Sequence, residues 1–359
     1  MSQLCVFHMS GESPLRNAAR WEADLLRIAA NDPELTEVNW WNTGAGNDDA
    51  DLLAAVLDGN TFAQTVNLNY NRGLTDAGRL LTAVGRSGVV SLKVAYTGVG
   101  TLQWKAALGV MAANAQRRLR ANDPDLKMVD WCDVRAGNED IVPLVHGLHG
   151  NYVLQTLDLC NNFGLDEIGE LIAAVSRSGV VGVKLCDTGV NDTQKEEMTR
   201  AVVANARRRL LANDEHLKVL DWNGVGVDNA DVAQLAEWID GNTRLQAVLL
   251  RGNSNLKQLG PLVDAVGRSA VVGVELEFTG VEEAQLRAMS MACDANKEHI
   301  KLLKRLCRSL QLLAFARGTG DNIEALHSGI GHDILTVIAA AVATFGLPSL
   351  ELANSIVMY

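Results

Sequence analysis

The chain has 359 residues, of which 48% are hydrophobic and 5% aromatic, and its formal net charge is −11 at pH 7. This charge argues against general nucleic-acid binding, which needs a basic face to meet the phosphates. The hydrophobic content is ample for a continuous core, but the longest apolar run, residues 334–347, is too short and too broken to span a bilayer.

The first thirty residues predict an N-terminal cap. Residues 5–11 carry the pattern C-x-F-x-x-S-G, which matches L-x-V-x-x-T-G at residues 92–98. A helix is expected to follow over residues 14–30, a few residues shorter than its later counterparts. The start of the chain therefore reads as a trimmed copy of the end of a repeating unit.

A unit of 91 residues then occurs three times without insertion or deletion, over residues 31–121, 122–212 and 213–303. The residues that keep this step include Asn31, Asn122 and Asn213, and Trp40, Trp131 and Trp222. Such exact internal periodicity is typical of a solenoid, in which each repeat contacts only its neighbours. We therefore expect one elongated domain over residues 1–359.

Each unit contains three copies of a shorter frame, for example L-x-x-L-x-L-x-x-N at residues 154–162. The frames begin 28, 26 and 37 residues apart, which leaves room for a strand and a helix in each step. Helices are expected over residues 76–84 and, in the longest step, 103–121. Asn122-Asp123-Pro124 should stop the long helix, because Asn tolerates a left-handed cap and Pro cannot continue a helix.

This frame resembles leucine-rich repeat proteins of the ribonuclease-inhibitor type. A weaker resemblance, to the repeat domain of tropomodulin and leiomodin, rests on A-N-D-P-x-L followed by V-x-W at residues 121–131 and on G-N-T before the next strand. The first resemblance implies an α/β horseshoe with a curved parallel sheet on its concave side and helices on its convex side. The second implies an actin-associated factor.

The leucine-rich frame also assigns the direction of side chains. The three tryptophans at the 91-residue step occupy inward positions and are expected in the core. Asn71, Asn162 and Asn253 occupy the Asn position of the frame, where an amide can satisfy the backbone of a turn. We expect both sets to be structural.

Polar residues at the outward positions predict a partner-binding ladder on the concave face. The candidate residues are Asn39, Trp41, Asn67, Asn69, Lys93, Asp130, Asp158, Lys184, Asp221, Arg251, Glu275 and Glu277. The alternative is that these side chains only keep an open sheet face in contact with water. The sequence leaves both interpretations open.

Arginines cluster at the ends of the long predicted helices. They are Arg117, Arg118 and Arg120 in the first unit and Arg207, Arg208 and Arg209 in the second. Cations stabilise a helix C-terminus through its dipole, and the alternative is a basic stripe on the convex edge for an acidic partner.

The six cysteines show no C-x-x-C and no paired spacing, so free thiols in a reducing, cytoplasmic compartment are expected. The resemblance to tropomodulin implies a cytoskeletal association. His146 and His149 have a spacing that can hold a metal, but no further ligand completes a set. Motifs for phosphate binding, nucleophilic catalysis or zinc hydrolysis are absent from the sequence. We therefore expect no enzyme activity, no metal and no cofactor.

After residue 303 the repeats become degenerate, and residues 304–359 read as a C-terminal cap. A strand is expected at residues 310–315, a helix at 333–345 and a last strand at 350–352. The chain ends on the apolar residues Ile356, Val357, Met358 and Tyr359. This tail is either a docking edge for another chain or a lid over its own core.

The combined expectation is a non-catalytic protein-interaction scaffold, a structural or regulatory subunit of a larger assembly. It would bind a protein partner through the concave face, with the apolar C-terminal edge as a second candidate surface. The alternative is a cytoskeletal, actin-associated factor similar to tropomodulin. No nucleic-acid partner and no membrane span are expected.

Overall fold

The computed structural model of the chain describes residues 14–318, with side chains described for residues 21–302. The predicted pattern at residues 5–11 and the elements predicted after residue 318 lie outside this range. The apolar tail, Ile356, Val357, Met358 and Tyr359, also lies outside the described residues.

Nine short parallel strands recur through the described part of the chain. They are β1 Glu37–Asn39, β2 Thr65–Asn67, β3 Ser91–Lys93, β4 Met128–Asp130, β5 Thr156–Asp158, β6 Gly182–Lys184, β7 Val219–Asp221, β8 Ala247–Leu249 and β9 Gly273–Glu275. Each strand is three residues long, and neighbours pair in parallel with a register set by the 28- and 26-residue steps, as in Glu37 with Thr65 and Thr65 with Ser91. Equivalent strands of successive units begin 91 residues apart.

A helix precedes β1 and one follows each strand. The helices are α1 Pro14–Ala29, α2 Asn47–Leu57, α3 Gly78–Gly85, α4 Thr101–Arg120, α5 Val142–Leu148, α6 Gly169–Ser176, α7 Asp192–Leu211, α8 Asn229–Ile239, α9 Gly260–Val266 and α10 Glu283–Gly318. The 20-residue helices α4 and α7 occupy the long step of the unit, as the sequence predicts. The alternation of helices and short parallel strands confirms an α/β repeat solenoid.

The core runs between the strands and the helices. The central residue of each strand from β1 to β8 is buried, as for Val38, Val129 and Leu220. Trp40, Trp131 and Trp222 are at most 1% exposed, which confirms their predicted inward positions. Burying indole rings of this size contributes strongly to the hydrophobic stabilisation of each unit.

The strands form three separate sheets of three, not the single continuous sheet expected from the sequence. Within a sheet, the carbonyl before a strand accepts a backbone N–H of the next strand, as Gln64 accepts from Val90 at 2.8 Å. At the junction between sheets, the Val90 carbonyl accepts the indole N–H of Trp131 at 2.7 Å instead. Trp222 donates to Val181 in the same way at the second junction, at 2.8 Å. A side chain therefore takes over the ladder hydrogen bond on every third strand.

Buried asparagines hold the turns that follow the strands. The Asn71 side-chain oxygen accepts the backbone N–H groups of Gly44 at 2.8 Å and Ala45 at 2.9 Å. Its amide donates to the carbonyls of Trp40 and Leu68. All four bonds are available because the side chain is fully buried beside two successive turns. Asn162 and Asn253 make equivalent bonds, which confirms the structural role predicted for this position.

Helix α10 departs from the predicted pattern. It runs for 36 residues, so the strand expected at residues 310–315 is wrong and these residues are helical. In the first two units the long helix ends where Asn122 and Asn213 adopt positive φ angles of 49° and 48°. The equivalent position in the third unit is Lys304, which offers no preference for the left-handed conformation. Without this stop signal the helix continues.

Candidate protein-binding surface

The charged residues of the predicted ladder pair with each other across the junctions between sheets. The Lys93 Nζ lies 2.6 Å from the Asp130 carboxylate, which joins the last strand of one sheet to the first strand of the next. At the second junction the Lys184 Nζ lies 2.8 Å from Asp221 and 3.7 Å from Asp158. The side chains of these two lysines are only 13% and 15% exposed. The ladder is therefore largely neutralised within the molecule.

The environment of these pairs shifts two titrating groups. Burial raises the pKa of Asp158 above its ordinary value, against the lowering influence of Lys184. Burial also acts to lower the pKa of Lys184, but the negative charges of Asp221 and Asp158 raise it overall. Lys184 consequently stays charged and shields two half-buried carboxylates from each other.

The ladder residues also complete the ends of the strands. Asn39, Asn67, Asp130, Asp158 and Asp221 each accept the backbone N–H two residues further on, at 3.0–3.2 Å. This is the Asx-turn geometry, in which a short polar side chain replaces a backbone acceptor. These five side chains thus have local structural roles that the sequence pattern does not separate from partner binding.

The remaining ladder candidates differ in exposure. Asn69 is buried and accepts the backbone N–H of Ala95 at 2.7 Å. Arg251 and Glu277 are exposed and form an ion pair at 3.3 Å, and Glu275 is also exposed. Isolated exposed pairs of this kind contribute little to stability. Apart from Asp221, the ladder charges of the third unit therefore lie in solvent, whereas those of the first two units are paired internally.

Two cysteines that were expected to be free are joined. Cys160 and Cys186 form a disulfide with a Cα–Cα distance of 4.7 Å. They sit at equivalent positions of adjacent parallel strands, 26 residues apart, which brings their Cα atoms within the range of about 4.4–6.8 Å that a disulfide spans. The prediction of free thiols is therefore wrong for this pair, and a reducing compartment loses the support it drew from them. Cys132 and Cys293 are free.

Two of the six arginines of the predicted basic stripe are internal. Arg118 and Arg209 are buried, and each donates both to the carbonyl of a glycine in the preceding repeat and to an Asp five residues further on. Arg117 and Arg208 donate to the carbonyls of Ser87 and Ser178. These guanidinium groups hold the loops before β3 and β6, and Arg117 and Arg208 are themselves exposed. Arg120 and Arg207 are exposed.

The third residue after the end of each strand adopts a left-handed backbone, with φ between 51° and 75°. We call these nine positions the left-handed row. In chain order its residues are Asn42, Tyr70, Tyr96, Asp133, Asn161, Asp187, Gly224, Gly252 and Phe278. Gly, Asn and Asp tolerate this conformation, whereas a bulky aromatic residue there costs about 1–2 kcal/mol. The two tyrosines and the phenylalanine are therefore outliers within the chain's own pattern.

The two tyrosines form an exposed aromatic cluster with Trp41. The rings of Tyr70 and Tyr96 stack with centroids 4.4 Å apart, and Trp41 meets Tyr70 edge-on at 5.4 Å. Tyr70 is 43% and Tyr96 53% exposed. Burial and the neighbouring Tyr96 raise the pKa of Tyr70, so the Tyr70 ring is neutral at pH 7. We call Trp41, Tyr70 and Tyr96 the aromatic platform.

Sequence reasoning identified Trp41 but missed the two tyrosines. In the leucine-rich frame the left-handed position after each strand is a variable turn residue, so the pattern does not distinguish an aromatic residue there from any other. A signal was nevertheless present, because six of the nine equivalent positions hold Gly, Asn or Asp. Aligning the left-handed row across the units separates Tyr70, Tyr96 and Phe278 from the rest.

A cavity of about 620 Å³ opens at the second junction, beside α7 and the loop after β7. At the first junction the Trp104 indole donates to the Val134 carbonyl at 3.0 Å, and the Arg135 guanidinium lies 3.6 Å above the Trp104 ring. The residues 91 positions later are Lys195 and Gly226, and both line the cavity. Loss of the indole and the guanidinium thus accounts for the open space.

His146 lies in α5 and His149 directly after it, and both are exposed. Among the described residues, no three His, Cys, Asp or Glu side chains come together in a group that could hold a metal ion. Within residues 14–318, no helix combines the length and the apolar character needed to cross a membrane.

Comparisons with known proteins identify no family for this chain. No protein-family model matches the chain, and no curated protein matches it. A solved structure described as "Leiomodin-1 Actin-Binding Site 2 (ABS2)" is similar at 11% identity over 81% of this chain and 97% of that chain, with a TM-score of 0.20. At that TM-score the two chains do not superpose as whole bodies, so this similarity identifies neither a family nor a partner.

Proposed function

We propose that this chain is a non-catalytic protein-binding scaffold of the leucine-rich repeat type, whose contact centre is the aromatic platform. The observation that carries the proposal is that Tyr70 and Tyr96 keep exposed rings on a left-handed backbone. Strain of this kind persists where the surrounding structure holds it and is typical of functional sites. Exposed aromatic residues are also the side chains most enriched at protein interfaces.

The charged ladder supports a scaffold rather than a catalytic role. The carboxylates of Asp130, Asp158 and Asp221 accept backbone N–H groups and pair with Lys93 and Lys184, so these three groups are committed to the fold. A general acid or base needs a group that can exchange its proton with a substrate. We therefore assign partner binding to the aromatic platform in and beside the left-handed row, and not to the charged ladder. The horseshoe curvature, the single domain over residues 1–359 and the cytoplasmic location stay predictions.

The actin-associated alternative draws on short phrases that have structural uses in this chain. Asn122 ends a helix with a left-handed backbone, and its side-chain oxygen accepts the N–H of Tyr152 at 3.1 Å. The Asn60 amide of the G-N-T phrase is buried and donates to the Ile28 carbonyl at 2.9 Å. Co-sedimentation with filamentous actin tests this alternative directly. Recovery in the actin pellet at micromolar concentration would favour it.

A capture experiment tests the scaffold proposal. The double variant Tyr70→Asn, Tyr96→Asn introduces the residue that Asn42 and Asn161 already supply in the left-handed row. Tagged wild type, this variant and Phe278→Asn as matched control are used to capture proteins from the native cell. A partner retained by wild type and control, and reduced at least about tenfold by the double variant, supports the proposal. Equal retention by all three chains overturns it.

A further inference from the structure

Two guanidinium groups of this chain already lie on aromatic rings near the ends of strands. Arg135 lies 3.6 Å above Trp104. Arg251 lies 5.0 Å from the ring of Phe278 and 3.3 Å from the carboxylate of Glu277. A guanidinium is planar and weakly hydrated, so it stacks on an aromatic face while it pairs with a carboxylate beside it.

Phe278 and Tyr96 are equivalent positions of the left-handed row, 182 residues apart. Arg251, the residue that covers Phe278, has Asn69 as its equivalent in the first unit. Asn69 is buried and its side chain accepts a backbone N–H, so it contributes no cation. The first unit thus has an aromatic ring where the third has Phe278, but it has no cation where the third has Arg251.

The charge around the platform favours a cation. The left-handed row contains Asp133 and Asp187 and no basic residue. Asp133 follows Tyr96 in the row, and its charge is felt at the Tyr70 hydroxyl. Two of the nearby cations are already engaged, because Lys93 pairs with Asp130 and Arg135 lies on Trp104. The net charge of −11 adds a long-range attraction for a basic partner.

We propose that the aromatic platform binds an arginine side chain of the partner, presented by an extended basic segment of that protein. This inference rests on the proposed scaffold function. The guanidinium stacks on the exposed ring of Tyr96 or Tyr70, and Asp133 supplies the carboxylate that Glu277 supplies to Arg251. Lysine fits less well, because its ammonium is compact and strongly hydrated and cannot stack as a plane.

Fluorescence anisotropy with three synthetic peptides at 0.15 M salt tests the inference. One labelled peptide carries glycine-spaced arginines, the second has lysine at every arginine, and the third is proline-rich. Binding is measured for wild type, for Tyr70→Asn with Tyr96→Asn, and for Phe278→Asn as matched control. Circular dichroism and thermal melting establish that each variant is folded. Both basic peptides share the general attraction to an acidic chain, so the difference between them is the informative quantity.

The expected result is that the arginine peptide binds wild type at least about tenfold more tightly than the lysine peptide. The double variant should lose this preference, and Phe278→Asn should keep it. Equal binding of the two basic peptides, an unchanged preference in the double variant, or tighter binding of the proline-rich peptide each overturns the arginine assignment. A captured partner that depends on the tyrosines but is not displaced by the arginine peptide overturns this assignment alone and leaves the scaffold function standing.

Discussion

The indole N–H of Trp131 donates to the carbonyl of Val90, 41 residues earlier, at 2.7 Å. Inside a sheet that carbonyl position is satisfied by the backbone of the next strand, so the tryptophan replaces a main-chain donor at the junction. Both groups are buried, and neither has access to water as a substitute.

Trp131→Phe should remove the donor while it keeps most of the buried ring. The Val90 carbonyl would lose its partner, and a buried unsatisfied acceptor costs about 1–3 kcal/mol. Trp40→Phe is the matched control, because the Trp40 indole donates to the carboxylate of Asp24 at 2.9 Å, a side chain that can turn toward water. Urea unfolding should show the larger loss for Trp131→Phe. Equal losses would contradict the junction role of the indole.

Gly182→Ala should push the second and third sheets apart. A Cβ at this position would clash with the carbonyl oxygen of Asp221, a backbone atom that cannot turn away. Overpacking of this kind costs about 1–3 kcal/mol. Gly273→Ala is the equivalent change in the next unit, where the nearest atom is the Ala247 Cβ at 3.9 Å. Thermal melting should fall clearly for the first variant and little for the second, and a tolerated Gly182→Ala would show that the junction is looser than described.

Lys184→Met should produce a fold whose stability depends on pH. Without the lysine, Asp158 and Asp221 face each other as half-buried carboxylates, and the variant should lose about 1–3 kcal/mol at pH 7. The folded-state pKa of Asp158 is already raised by burial, and loss of the cation raises it further. A carboxyl with a raised folded-state pKa destabilises the fold above its unfolded pKa, and the penalty disappears as pH falls through the folded pKa.

Urea unfolding of Lys184→Met at pH 7 and pH 5 checks this expectation, since part of the lost stability should return at pH 5. Lys93→Met is the control, because Lys93 pairs with the single carboxylate of Asp130 and should be less sensitive. A loss of the same size at both pH values would show that the packing of the Lys184 stem matters more than its charge.

Cys132 should resist alkylation in the folded protein. Burial, with a contribution from the charge of Asp158, raises the pKa of its thiol to about 11. At pH 8 only about 0.1% of the thiol is then the reactive thiolate. Iodoacetamide labelling followed by peptide mapping should show slow modification that rises about tenfold per pH unit. The same unreduced digest should contain Cys160 linked to Cys186. Rapid labelling of Cys132 at pH 7 would contradict the raised pKa of its thiol.

The sequence predicts the repeat well because the features that define it are local. The frame fixes the positions of the short strands, and Trp131 and Asn162 are correctly placed in the core because the spacing alone puts them there. The continuous sheet and the strand at residues 310–315 were wrong for a different reason. The first depends on an indole reaching 41 residues back, and the second on a missing helix stop at Lys304.

The candidate site was harder to predict, because the sequence pattern shows which ladder residues are polar but not which of them form ion pairs. Nothing in the spacing says that Lys93 reaches Asp130 in the next unit, and the ion pair decides whether that carboxylate is available. The Cys160–Cys186 disulfide escaped for a similar reason, since strand registry and not a C-x-x-C spacing brings the thiols together. Tyr70 and Tyr96 become visible only when the backbone angle is known, because the angle turns an ordinary surface tyrosine into an outlier.

The side-chain joints between sheets have a mechanical consequence. Every ladder hydrogen bond lies inside a group of three strands, whereas Trp131 and Trp222 bridge the gaps between groups. Under tension applied at the two ends, the joints should rupture before the ladders do. The chain would then lengthen in discrete events, each releasing one 91-residue unit and roughly 320 Å of extended polypeptide. A force–extension trace with sawtooth peaks at that spacing would show that the units unfold one at a time. The first rupture force should be lower in a Trp222→Phe chain.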